Sequence, residues 1–146
     1  MNWQDVLTEN GYRVSGPRRL VMQVLESNPQ PMTPLEIYQA LSQSGQALGM
    51  VSVYRALDLL SELGLVCVVY NPDGSAGYVA GAGGHHHHIL CQKCHQAIAF
   101  AGSEDLTSLI QRVEAETKFR VNDHLLQLYG ICPDCQEASA DTVEEI

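Results

Sequence analysis

Apolar residues recur at helical spacing four times in the first half of the chain, and the pattern then changes to short runs bounded by turns. Trp3, Val6 and Leu7 share one side of a short helix that Gly11 ends. Over residues 17–27, Leu20, Val21, Val24 and Leu25 line one face; Pro17 suits a first turn, and Asn28-Pro29-Gln30-Pro31 stops the helix. Thr33-x-x-Glu36 is a capping box with Pro34 at the first helical position, opening a third helix that runs to Gln43 and ends at Ser44-Gly45. A fourth helix, 51–63, buries Val53, Ala56, Leu57, Leu60 and Leu63 and turns Ser52, Tyr54, Arg55, Asp58, Ser61 and Glu62 outward.

Residues 65–70 and 77–80 read as strands joined by the turn Asn71-Pro72-Asp73-Gly74. Helices followed by a hairpin are the pattern of a winged helix, and an exposed Tyr-Arg pair near a helix N-terminus suits a DNA groove. On periodicity alone, Tyr54 and Arg55 fit an ordinary solvated helix face equally well. The small-residue joint Ala82-Gly83-Gly84 divides the chain into predicted domains 1–82 and 83–136, with a loose acidic tail over 137–146. Beyond the joint come a histidine-bearing strand and a short strand over 97–100. A helix follows over 103–117, capped by Ser103, with Leu106, Leu109, Ile110 and Val113 inward, and then a longer strand over 119–131 carrying His124. The expected class is α+β.

At 146 residues, 45% hydrophobic and 17% charged, the chain suits one ordinary domain or two small ones. It holds no apolar run of membrane-spanning length, so a cytoplasmic protein with no membrane partner is the expectation. A formal net charge of −9 argues against a partner held by global electrostatics. Ten of the seventeen acids follow Gly83, however, whereas Arg13, Arg18, Arg19 and Arg55 lie in the first half.

The chemistry concentrates in residues 84–94, GHHHHILCQKC. Cys91-x-x-Cys94 can aim two sulfurs at one ion, and Cys132-x-x-Cys135 repeats the spacing, so four of the five cysteines form a set suited to a closed structural zinc site. A disulfide framework would suit a secreted chain, and no secretory signal precedes these cysteines. The histidine run is internal, four long and flanked by Ile89 and Leu90, unlike a purification tag. In an extended strand His85 and His87 face one way and His86 and His88 the other, so one tetrapeptide can supply an i, i+2 pair to each of two metal ions.

The segments GYRVSGPRRLVMQVL, TPLEIYQAL, SVYRALDLLSELGLV, GHHHHILCQKC and HLLQLYGICPDC, in that order over about residues 5–136, resemble the ferric uptake regulator family. The resemblance implies a metal-dependent transcription repressor that binds double-stranded operator DNA as a homodimer. Its expected parts are a winged-helix DNA-binding domain, a hinge and an α/β dimerisation domain holding a structural zinc on Cys91, Cys94, Cys132 and Cys135. It makes Tyr54 and Arg55 expected DNA contacts, with Ser52, Arg18 and Arg19 beside them.

The resemblance further implies a second metal in the dimerisation domain on His85, His87, His124 and an acid, for which Glu104 is the candidate and Asp105 the alternative. It places a regulatory hinge site on His86, His88 and, as in zinc-sensing members, the position of Cys67. Departures are visible. The histidine often found before the third helix is replaced by Gln30 or Pro31, and the usual acid after the first CxxC is Ala99. The zinc-sensor cysteine before the histidine run is Gly81, leaving a fourth ligand position open to water, Asp73 or a neighbour. The first two departures count against an iron or peroxide sensor and the third against zinc; with Cys67 in place the balance favours a zinc-responsive repressor of metal-uptake genes. A metalloenzyme lacks a convincing general base near the cluster, and a zinc storage protein would not explain the helix-hairpin half.

Overall fold

The computed structural model describes residues 2–81, 86–101 and 106–138. The joint 82–84, His85, the cap Ser103, the acids Glu104 and Asp105, and tail residues 139–146 lie outside the described residues.

Four helices open the chain: α1 (Trp3–Glu9), α2 (Gly16–Glu26), α3 (Pro34–Gln43) and α4 (Met50–Glu62). Their starts follow the local chemistry. Asn2, Ser15 and Thr33 each accept a backbone N–H from the first turn, and Thr33 with Glu36 closes the capping box in both directions. Leu7, Val21, Leu25, Ile37, Leu41, Val53, Leu57 and Leu60 form the centre of one core, with Met22, Ile37 and Leu41 added to the expected set. The wing follows as β1 (Val66–Tyr70) and β2 (Ala76–Ala80), antiparallel with Val66 opposite Ala80. Met32, between α2 and α3, bridges Tyr78 in both directions at 3.0 and 2.8 Å and so fastens the wing to the helices. Gly77 makes this fit possible, because a Cβ there would lie 2.6 Å from Pro31 Cβ.

The second half is a three-stranded sheet in the order β4-β3-β5, from β3 (His87–Cys91), β4 (Ala97–Phe100) and β5 (Gln127–Gly130). β3 is central, antiparallel to β4 and parallel to β5, with α5 (Thr107–Thr117) making the crossover. α6 (Pro133–Ala138) carries the last cysteine.

Three expectations are corrected here. The long strand expected over 119–131 reduces to Gln127–Gly130. Lys118 takes a left-handed backbone (φ 63), Val121 N–H bonds the Glu114 carboxylate at 2.9 Å, and His124 N–H bonds Asp123 Oδ1 at 2.8 Å, so these donors are satisfied by side chains rather than a ladder. The apolar residues of α5 do not pack inward, since none of its residues is buried and Leu109 and Val113 are exposed. Glu137 and Ala138, expected in the loose tail, belong to α6.

The two halves meet along a defined seam. Val69 and Val79 of the wing pack on Leu90 of β3. Tyr70 N–H bonds Gln127 Oε1 at 2.9 Å, and Tyr129 OH donates to Tyr70 O at 2.9 Å. On the other flank, Gln30 Nε2 donates to Cys94 O at 2.7 Å and Ala97 N–H to Pro29 O at 2.9 Å.

Gly77→Ala forces a Cβ against Pro31 and is expected to lower stability by about 1–3 kcal/mol. A denaturant titration reads this directly, and an unchanged midpoint would mean that the wing tolerates the added methyl group.

Candidate metal centres and nucleic-acid face

The two CxxC turns converge. The ligand atoms of Cys91, Cys94, Cys132 and Cys135 all lie within 4.8 Å of one another, with Cys94 Sγ and Cys132 Sγ 3.7 Å apart. The local backbone explains the first turn: His95 adopts φ 64 and returns its N–H to Cys91 O at 3.0 Å, which curls the chain around the sulfur. The N–H groups of Lys93 and Cys132 both point at Cys91 Sγ at 3.4 Å. Those donors, with that of Cys132 foremost, pull the Cys91 thiol down to about 5. Cys135 moves the opposite way, up to about 12, through its hydrogen bond with Cys132, desolvation and the crowding of the other sulfurs. Four sulfurs at this spacing suit a tetrahedral zinc ion, which would supply the positive charge that lets all four ionise together.

The histidines divide by face. His87 is buried with its ring 5.7 Å from Phe100 and 5.3 Å from His124. His88 is also buried and borders an interdomain cavity of about 410 Å3 with Leu25, Val79 and Ala97. Desolvation, then the neighbouring His86 and His87, hold the His88 imidazole below its ordinary pKa and keep it neutral, the form that binds a metal. Its cross-strand partner is Ala99, so the usual acid is absent at the point nearest to it.

Cys67, His86 and His88 border one cavity of about 100 Å3, together with His87 and His124. Among the described residues, the four-cysteine cluster alone brings three or more potential ligand atoms within 4.8 Å of one another. The hinge donors thus share a cavity without reaching coordination spacing. Burial pushes the Cys67 thiol up. Gly81 lies against it, because a Cβ at that position would fall 2.8 Å from Cys67 Sγ and 3.1 Å from Gly64 O. A side chain at residue 81 therefore competes with Cys67 for the same space. Asp73, the suggested fourth ligand, instead accepts from Ser75 N–H and Oγ in the wing turn and faces a different cavity, with Glu36 and His95. Gln30 and Pro31, at the missing histidine position, serve the seam and the wing.

On the helical half, Val53, Ala56, Leu57 and Leu60 are buried, whereas Tyr54 is 50% exposed and Arg55 is exposed. Arg18, Ser52 and Arg55 line a cleft of about 230 Å3 with Ser15, Pro17 and Ala56, and Arg19 lies exposed on α2. Ser15 was not among the expected contacts; a serine two residues before a proline is the sequence signal of the N-cap that puts it there.

A winged helix joined to a small α/β domain with a four-thiol cluster defines a class, the two-domain metal-binding transcription regulators. The chain belongs to the ferric uptake regulator family, whose pattern matches residues 9–129. It is 34% identical over 138 residues to a ferric uptake regulation protein of Legionella pneumophila, covering 93% of this chain and all of that one. It is 30% identical over 131 residues to the Neisseria meningitidis ferric uptake regulation protein, covering 89% and 90%. The fold is similar to a zinc uptake regulator complexed with zinc and DNA, with a TM-score of 0.78 at 19% identity, covering 94% of this chain and 92% of that one.

Zinc loading of the metal-free cluster must displace protons from Cys94 and Cys135, both held above the ordinary thiol value, while Cys91 is already ionised at neutral pH. Affinity is therefore expected to fall steeply on acidification near neutrality, about tenfold per pH unit for each displaced proton and so by about a hundredfold or more. Competition with a chromogenic chelator at two pH values measures this, and a pH-independent affinity would contradict it.

Proposed function

We propose that the protein is a zinc-responsive repressor that binds operator DNA as a homodimer in the cytoplasm and controls metal-uptake genes. The observation that carries this reading is the cavity shared by Cys67 of the wing with His86 and His88 of the other domain. A thiolate with two imidazoles favours zinc over iron or manganese, which prefer nitrogen and oxygen ligands. The donors belong to both halves of the seam, so an ion that draws them together stabilises one arrangement of the domains. By linkage, that ion and the operator raise each other's affinity by the same factor.

Cys91, Cys94, Cys132 and Cys135 hold a structural zinc. A further metal takes His87 and His124, with His85 and Glu104, or Asp105, from outside the described residues. DNA contacts come from Tyr54 and Ser52 on α4, with Arg55 reaching a phosphate or a guanine edge and Arg18 and Arg19 meeting the backbone phosphates. The second copy covers the apolar surface left by Ile98, Leu109, Val113 and Leu128, all exposed in one protomer. The names of the relatives favour iron as the sensed metal instead; what supports zinc is the thiol of Cys67 beside two imidazoles.

Cobalt substitution tests the metal. Wild type should show thiolate-to-cobalt charge transfer beyond that of the four-cysteine cluster, and Cys67→Ser should lose it together with zinc-dependent operator binding. An unchanged zinc response in that variant would return Cys67 to the core and leave iron as the better reading. For the DNA face, Tyr54→Ala and Arg55→Ala should each weaken operator binding by about 1–3 kcal/mol with metal content and dimerisation intact. Full affinity in both variants would remove α4 from the interface.

A further inference from the structure

We infer that Tyr12 is a positioning residue for phosphate contact: its ring holds the Arg18 guanidinium, so that Arg18 meets a DNA backbone phosphate already ordered in the cleft it shares with Arg55. The inference rests on the DNA-binding reading above. Its basis is the way Tyr12 and Arg18 are each fixed.

Gly11 ends α1 with φ 84, its N–H bonding Thr8 O at 3.1 Å, and the next N–H, that of Tyr12, bonds Leu7 O at 2.9 Å. These are the two bonds of a helix-terminating Schellman motif. They tie the Tyr12 backbone to Leu7, which is fully buried, so the ring projects from a fixed point although the side chain is 39% exposed. Arg18 Cζ lies 5.4 Å from the ring centroid, within the range of a cation–π contact. Its Nη1 donates to Arg13 O at 2.8 Å, and its backbone N–H meets Ser15 Oγ at 3.4 Å.

The guanidinium is thus held by a ring and by a backbone carbonyl. Only one of its five N–H donors is accounted for by that carbonyl, which leaves others to bind an anion. An unheld arginine loses much rotamer freedom on binding a phosphate, and pre-ordering removes that cost from the binding step. The cleft brings two guanidinium-bearing residues and the hydroxyl-bearing Ser15 and Ser52 to one place at the starts of α2 and α4, a donor set that matches a phosphate diester.

The test uses the full-length zinc-loaded protein and a duplex that the wild type enriches from a random-sequence pool, with affinity measured across a salt series. Arg18→Ala should lower the slope of log affinity against log salt by about 0.9, the value for one phosphate contact. Tyr12→Leu, and equally Tyr12→Gln, should weaken binding by about threefold to tenfold with an unchanged melting profile. Tyr12→Phe should bind as wild type does, because it keeps the ring. In the Arg18→Ala background, Tyr12→Leu should cost nothing more. A loss that persists in that background, or a Tyr12→Phe variant as weak as Tyr12→Leu, would overturn the inference by giving the tyrosine its own contact. Wild-type affinity in Tyr12→Leu would overturn it while leaving the DNA-binding function standing. Failure of the wild type to enrich any duplex at any zinc concentration would sink that function and this inference together.

Discussion

The C-terminal half has almost no hydrophobic core of its own, and the four-cysteine cluster substitutes for one. Among the described residues, the buried hydrophobic side chains beyond Gly81 are Leu90 and Cys91 alone. A buried leucine contributes about 1.5–3 kcal/mol, far too little to order a sheet and two helices against their chain entropy. A structural zinc on four thiolates typically contributes an apparent 10–16 kcal/mol, roughly, and an ion held here would join the end of β3 to the start of α6. Such an ion would help to define β3, which carries the histidines.

From that strand the two domains acquire their relation. One face of β3 presents Leu90 to Val69 and Val79 of the wing, while the alternate position, His87, stacks on His124 and Phe100. The cysteine turn reaches the helical domain directly, because Gln30 bonds the carbonyl of Cys94. That bond ties the cysteine turn to the segment between α2 and α3, which also holds the wing through Met32. Metal chemistry and helix placement are joined by a few hydrogen bonds rather than a large apolar interface, and such a seam can be biased by one ion.

Net charge and local charge point in opposite directions. A chain at −9 repels a phosphate backbone on average, yet Arg18 and Arg55 face one cleft on the helical domain. At physiological ionic strength screening acts over about 8 Å, so an acid farther than that from the cleft counts little there. Ten of the seventeen acids follow Gly83 in the sequence. Arrangement, not total charge, governs whether this surface takes a polyanion.

Helices α1 to α4, the wing and the grouping of the four cysteines were legible in the sequence because each is written locally, in capping residues, period and CxxC spacing. The opposite facing of His87 and His88 was legible for the same reason, since strand alternation needs no knowledge of neighbours. Other features were decided only by tertiary structure. The segment 119–126 was read as strand from composition, but Glu114 and Asp123 took its backbone donors. Helix α5 had the periodicity of a buried element, yet among the described residues of the protomer none of its side chains is buried. Gly81 read as a missing ligand, and only packing shows that the Cys67 sulfur occupies the space a side chain would need. The seam contacts of Gln30 and Gln127 carried no signal, because they depend on partners that only folding brings near: Cys94, 64 residues from Gln30, and Tyr70, 57 residues from Gln127. Local backbone chemistry is a property of the sequence, whereas long-range hydrogen bonds and the sharing of one cavity by side chains from two domains exist only once the chain has closed on itself.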